Sequence, residues 1–323
     1  MPRCPFARSG MTLILTLAAI VLAGGVALFL QARSSALGRV ERTELVRERL
    51  RVAAAEAARD ALRTLASDED LQVDHLGEEW ALPRETIQDD GVSTRALIED
   101  AGRYYNWNNL AVSNRATRTP HDILLDLLTF CGDFSPMDRV DALRDFVDAD
   151  GEGRYEADFY GRQARGAAPA NRILWAPGEL RHVHGFSGEV FLPRPRTGTG
   201  DLFGGQVSQA LVLVPAALQE PLPVNVNTAS REVLMGLTGL QQESMVRTVL
   251  ALRQVQPFES LGVMFMASPE LAAALEGAIG TSSQYFRVQS RASLEGQSRT
   301  VMAWVRRDER GDIQILQWIE GEG

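Results

Sequence analysis

The sequence predicts an α+β protein: a long N-terminal helix packed on a small antiparallel sheet, with a large all-α insertion between the parts of that unit. Three observations carry this expectation. An uncharged run beginning at Met11 passes directly into an Ala-, Leu-, Arg- and Glu-rich stretch with helical spacing. After Ser282, three stretches of alternating polarity are separated by glycine turns. Between these ends, from about Ser113 to Thr281, helical patterns dominate.

Composition sets the frame for each element. The chain has 323 residues, 45% hydrophobic and 23% charged, enough for two globular units and unlike a disordered chain. All 33 basic residues are Arg, against 42 acidic ones, and the net charge of −9 repels a phosphate backbone. Cys4 and Cys131 lie on either side of the apolar run. If that run spans a membrane the two thiols cannot meet, which excludes a disulfide framework and a cysteine zinc site. Cys131 reads as a small buried hydrophobe.

The first element is "MTLILTLAAIVLAGGVALFL", Met11 to Leu30, twenty residues without a charge. At about 1.5 Å per residue it crosses a hydrocarbon core of about 30 Å. Arg3 and Arg8 place its N-terminus in the cytoplasm, although Arg33 and Arg39 weaken the bias. A cleaved secretory signal fits less well, because its apolar region is usually about 7 to 15 residues. Beyond Leu30 the helix continues to about Ala66, with Leu50, Ala54, Ala57, Ala61 and Leu65 forming a stripe that needs a partner.

A helix shared in this way between membrane and globular domain resembles the type IV pilins and pseudopilins. The leader strengthens the likeness: in "RSGMTLIL" a short basic stretch ends in Gly10 directly before the apolar run, as in sites cut by prepilin peptidases. The resemblance implies a leader over 1–10, cleavage between Gly10 and Met11, and a transmembrane part over 11–30. Pilins generally carry Glu at the fifth mature position, where a carboxylate neutralises a neighbour's terminal amine in an apolar setting. Here that position is Leu15, a departure that points to a subunit with nothing ahead of it.

The globular unit is expected in two pieces, 31–112 and 282–323. The second reads as a three-stranded meander around Phe286 to Val288, Val301 to Val305 and Ile313 to Trp318, with Gly296 and Gly311 in its turns. The first contains "GVSTRALIEDAGRYYNWNNL", which resembles the "EDxGRxNxNxL" signature of the K-type minor pseudopilin of type II secretion. Glu99, Asp100, Gly102, Arg103, Asn106, Asn108 and Leu110 match it. Asn106 and Asn108 read as ties for the turn backbone in preference to ligand contacts.

The remaining segment, 113–281, reads as an inserted helical domain. Thr119 and Asp122 frame a helix start in "TPHDILLDLLTF". The order of motifs from Arg144 to Phe186 again resembles the K-type family: Asp148 and Asp150, Glu156 and Asp158, Tyr160, Ala170 to Arg172, and "ELRHVHGF". Asp148, Asp150, Glu152, Glu156 and Asp158 bring five carboxylates into eleven residues, a crowd of hard oxygens that suits calcium or else a solvated acidic turn. An EF-hand starting at Asp148 is excluded, because Phe159 stands where the bidentate Glu is needed. The resemblance implies calcium here, with Asp148, Asp150, Glu156 and Asp158 as its candidate ligands.

Late in the insertion, "PVNVNTASREVLMGLTGL" looks like a helix-hairpin-helix, with Thr228 or Ser230 as cap and Glu232 near the helix dipole. The alternative function is therefore a membrane-anchored extracytoplasmic DNA-binding protein. Against it, Gly239 is followed by Leu240 and Gln241, so the second glycine of a phosphate-binding turn is missing, and Arg231, Arg247 and Arg253 are few. Val233, Leu234, Leu237, Val246, Leu250 and Phe258 read instead as a small core. The four histidines lie on no metal spacing, "GFSGE" is no nucleophile elbow, and no phosphate loop is present, so no enzyme is expected.

The K-type resemblance covers nearly the whole chain. It implies a tip subunit of the pseudopilus that assembles with I-type and J-type minor pseudopilins, contacts other pseudopilins and secreted exoproteins, and is cut by the prepilin peptidase. It also implies a single-pass protein of the bacterial inner membrane with a periplasmic globular part, and no nucleic-acid partner. The Gly-, Pro- and Thr-rich stretch 194–205 reads as an exposed loop.

Overall fold

The computed structural model describes residues 7–112, 118–162, 168–186, 210–216, 218, 220–267, 269, 275 and 277–322, with backbone alone at 7–10 and 35–40. One helix, α1, runs unbroken from Ala7 to Ala66. Its exposed turns carry ion pairs at helical spacing, Arg47 with Glu44 and Arg51 with Glu48, both at 2.6 Å. Met11–Ser34 is long and apolar enough to cross a membrane, and none of it is buried within the protein. The helix ends where Ser67 turns back, its Oγ donating to the Thr64 carbonyl at 2.9 Å.

After α1 come β1 (Arg84–Ile87), β2 (Ser93–Asp100) and the two-residue β3 (Tyr105–Asn106). The helical region follows, with α2 (Pro120–Phe130), α3 (Pro136–Val147) and the short α4 (Ala157–Gly161). Then come β4 (Leu211–Val212), β5 (Val224–Asn225), α5 (Arg231–Thr238), α6 (Glu243–Val255) and α7 (Leu261–Ala267). The chain closes with β6 (Ile279–Gly280), β7 (Tyr285–Leu294), β8 (Gln297–Arg307) and β9 (Ile313–Glu322).

The expected α+β class holds, with one enlargement. The sheet has five strands, not three, in the order β1-β2-β7-β8-β9, every neighbour antiparallel. Strand β2 was legible only as the apolar run Ala96 to Ile98, although its burial alternates from Ala96 to Asp100, and β1 is a short edge strand with no buried side chain. The inner face presents Ala96, Ile98, Phe286, Val288, Ala292, Val301, Ala303 and Val305 to α1. There α1 offers Leu50, Ala54, Ala58, Ala61 and Leu65, all buried. Alanines let the helix approach closely enough that Ser290 Oγ donates to the Ala54 carbonyl at 2.7 Å.

A second core belongs to the helical region, where Ile123, Leu124 and Leu127 of α2 and Leu143 and Phe146 of α3 pack with Val233, Leu234 and Leu237 of α5. Helices α2 and α5 touch at Gly236: a Cβ there would lie 2.8 Å from that of Leu127, too close for any larger residue without a shift. Cys131 is buried in this core, and burial pushes its thiol up to about 12. Two parallel pairs, β3 with β4 and β5 with β6, add small extended patches to this largely helical region.

Candidate functional site

The acidic loop is built by the end of one helix and the start of the next. Asp148 caps the C-terminus of α3, its backbone N–H returning to the Arg144 carbonyl, and Glu156 stands just before α4. Oxygens of Asp148, Asp150 and Glu156 all lie within 4.8 Å of one another. Asp158, the fourth candidate from the sequence, does not join them. It falls in the first turn of α4 and is not among the grouped oxygens.

Asp145, which the sequence reading missed, supports the loop from below. It is fully buried, its Oδ2 accepts from the Tyr155 backbone N–H at 2.9 Å, and its Oδ1 receives Arg144 Nη2 at 3.3 Å. The bare backbone of Gly153 lies over it, and a Cβ there would fall 2.2 Å from Asp145 Oδ2. The one signal in the sequence was an acid set inside the apolar run "ALRDFV".

The three carboxylates of this loop could hold a cation. Asp148 Oδ1 and Glu156 Oε1 are buried and have no hydrogen-bond partner. Burial, then Asp150, Asp145 and Glu156, push the Asp148 carboxyl up to about 6, and burial with Asp145 and Asp150 raises Glu156 as well. Arg144 reaches only to 4.0 Å from Asp148 Oδ2. Crowded carboxylates with orphaned oxygens fit a hard divalent ion.

A second acidic trio, Asp68, Asp74 and Glu78, was invisible in the sequence. Here Arg307 sits between acids, 2.6 Å from Asp68 Oδ2 and 2.6 Å from Asp74 Oδ1. The counter-charge is part of the chain, and the cluster is structural.

The remaining motif residues hold the insertion to the sheet. Glu99 accepts from the Tyr104 hydroxyl and from Arg287. Asp100, fully buried, accepts from Thr228 Oγ1 at 2.5 Å, Asn225 Nδ2 at 3.0 Å and the Gly102 N–H at 2.6 Å. Asn108 exchanges two 2.9 Å bonds with the backbone of Leu174, and Asn109 ties the backbone of Leu222 in the same way. Asn106 accepts from the Val214 N–H at 3.3 Å. The asparagines thus tie backbone, over longer range than a turn.

In the helix-hairpin-helix-like stretch, Ser230 is the cap of α5, accepting from the Val233 N–H at 3.3 Å, while Thr228 is committed to Asp100. Its arginines are spent within the fold: Arg231 pairs with Glu243 at 2.9 Å, Arg247 lies 3.9 Å from the same Glu243, and Arg253 donates to the Val226 carbonyl at 2.7 Å. His184 stacks on Tyr155 with centroids 4.9 Å apart, and His121 bonds Asp141 at 2.8 Å. The Gly10–Met11 bond lies within α1, with Met11 and Leu15 both exposed. Leader residues 1–6 and the stretch 194–205 lie outside the described residues.

A membrane-length apolar helix continuing into a half that packs on an antiparallel sheet is a pilin-type fold, here enlarged by a helical region with an acidic loop. No family model matches the chain. It is 27% identical over 264 residues to the type II secretion system protein K of Pseudomonas aeruginosa, covering 78% of this chain and 72% of that protein. It is 29% identical over 125 residues to the putative type II secretion system protein K of Escherichia coli K12, covering 36% of this chain and 38% of that one. In fold it matches a chain of the GspK-GspI-GspJ complex of the enterotoxigenic Escherichia coli type 2 secretion system, with a TM-score of 0.66 at 20% identity, over 87% of this chain and 99% of that one. The resemblance to the K-type minor pseudopilin of type II secretion is borne out, and the chain is a relative of these minor pseudopilins. Among the described residues one helix, near the N-terminus, is long and apolar enough to span, which is consistent with a single-pass inner-membrane anchor.

Proposed function

We propose that this chain is the tip subunit of the type II secretion pseudopilus, assembling with I-type and J-type minor pseudopilins to initiate it and to support export of folded exoproteins. The prepilin peptidase cuts between Gly10 and Met11, and the globular part faces the periplasm. The observation that carries this reading is α1 itself: 60 residues long, with its apolar half wholly exposed and one face of its second half, from Leu50 on, packed on the sheet. An exposed apolar helix of this kind needs lipid before assembly and neighbouring helices after it. Leu15 in place of a charged residue suits a subunit with nothing ahead of it, and the bulk of the helical insertion leaves little room above. The work is mechanical and templating. Calcium bound by Asp148, Asp150 and Glu156 fixes the α3–α4 loop in this role.

The test is a pull-down of the part starting near Arg33 against the matching parts of its I-type and J-type neighbours, with and without a calcium chelator. A stable complex weakened by chelation supports both halves of the reading. No complex in either condition overturns the assembly role and turns attention to a DNA-binding assay.

A further inference from the structure

The two edges of the sheet are finished differently. Edge strand β1 has four residues, and its charges are held in pairs, Arg84 with Glu79 and Glu85 with Arg95. A short, charged edge resists pairing with another chain. The other edge, β9, has ten residues, IQILQWIEGE, with neither proline nor a basic residue. Among the described residues it pairs with β8 alone, so a row of its backbone N–H and C=O groups faces outward. One register shift, where Trp304 and Val305 meet Gln317 and Ile315, leaves the strand paired on both sides of it.

Apolar side chains flank the open row on both faces of the sheet. Ile319, opposite Met302 on the face away from α1, is 40% exposed, and Ile315, opposite Val305 on the α1 face, is 50% exposed. The end of the strand is acidic, with Glu320 near Arg51 at 3.4 Å and Glu322 holding Arg299 at 2.7 Å through Oε1 alone. Direction narrows what can pair here. Helix α1 and β9 run in opposite senses, since Arg51 reaches Glu320 while Arg59 lies 5.7 Å over Trp318. Two copies joined antiparallel through β9 would point their α1 helices opposite ways, and both apolar halves could not enter one membrane. Antiparallel pairing is the more stable kind, so the occupant that suits this edge is a strand of a different protein.

We propose that β9 is a docking edge that takes an extended segment of another protein antiparallel to it, apolar in alternation and basic where it meets Glu322. The segment becomes a sixth strand of the sheet, with main-chain bonds supplying affinity and Ile315 and Ile319 selecting its side chains. The inference rests on the sheet alone and not on the tip role.

The probe is a fluorescent peptide with the sequence of β8, Gln297–Arg307, which pairs antiparallel with β9 on its other side and sets Arg299 opposite Glu322. Anisotropy follows its binding to the full chain in a non-ionic detergent, with a scrambled peptide as control. Saturable binding of the β8 peptide and none of the scrambled one is expected. Ile315→Lys combined with Ile319→Lys, both at exposed positions, should weaken it about tenfold. Ile87→Lys, exposed on the β1 edge, should leave it unchanged. No saturable binding, equal binding of the scrambled peptide, or an undiminished affinity in the double variant overturns the proposal. A dimer of the chain alone that the double variant dissolves, seen by sedimentation, would make the occupant a second copy and overturn it as well.

Discussion

Two crowds of carboxylate in this protein have opposite fates. Asp68 and Asp74 hold Arg307, whose side chain is 2% exposed, with Glu78 beside them, and Asp74 accepts in addition from the Ser283 N–H at 2.6 Å. Both Glu78 oxygens are also used, by the His75 N–H and by Trp80 Nε1. Asp148, Asp150 and Glu156 have no such guest, and two of their oxygens are buried without a partner. Location explains the difference. The first trio sits under the end of α1, where β8 and the segment before β7 close over it, so its counter-charge must be carried by the chain. The second lies in a loop between two helices with Asp150 exposed, where an ion can enter from solvent. Crowding alone therefore does not single out a metal site; a shortage of donors is what makes the second cluster a candidate.

The largest effect follows from removing the built-in cation. Arg307→Leu leaves Asp74 buried and uncompensated, and a broken buried pair costs about 3–5 kcal/mol. Chemical unfolding of the variant measures it directly. A loss below about 1 kcal/mol, the worth of a surface pair, would erase the contrast between the clusters.

What the sequence made legible follows the same division between local and distant. The stripe on α1 repeats at three and four residues, so both helix and buried face were readable. The acidic loop was readable because its members are close in sequence, but its membership was not. Asp158 falls in the first turn of α4 outside the group, and Asp145 enters from the preceding helix. Arg307 meets its acids across 239 and 233 residues, and no spacing rule reaches that far. The same holds for Asp100 with Thr228, 128 residues apart. The five-stranded sheet was underestimated because β1 lies at an exposed edge and buries nothing.

The second effect in size sharpens the other side of the comparison. Calcium at one hundred times its dissociation constant should stabilise the native chain by about 2.7 kcal/mol, seen as a higher thermal midpoint that a chelator removes. Asp148→Asn combined with Glu156→Gln should abolish that response, and Asp158→Asn should leave it intact. Arg307→Leu should lower the midpoint equally with and without calcium. Loss of the calcium response in Asp158→Asn would return that residue to the ligand set and undo the geometric assignment.

The smallest effect lies in the pH dependence of the arginine-centred cluster. Burial, outweighing the hydrogen bonds from His75 and Trp80, raises Glu78 to about 7 from an ordinary value of 4.5. Between these two values the native state holds a proton that the unfolded chain has released, so the contribution of Glu78 to stability falls as pH rises through the window. Above about 7 the carboxylate is charged in both states and the loss is complete. In calcium-saturated buffer the thermal midpoint should therefore drop from pH 5 to pH 7, and Glu78→Gln should flatten the curve. A residual slope is expected from Asp74, which burial also lifts to about 7 despite Arg307. An unchanged slope in Glu78→Gln would mean that Glu78 is already charged in the native state, its donors from His75 and Trp80 outweighing burial, and that Asp74 carries the slope.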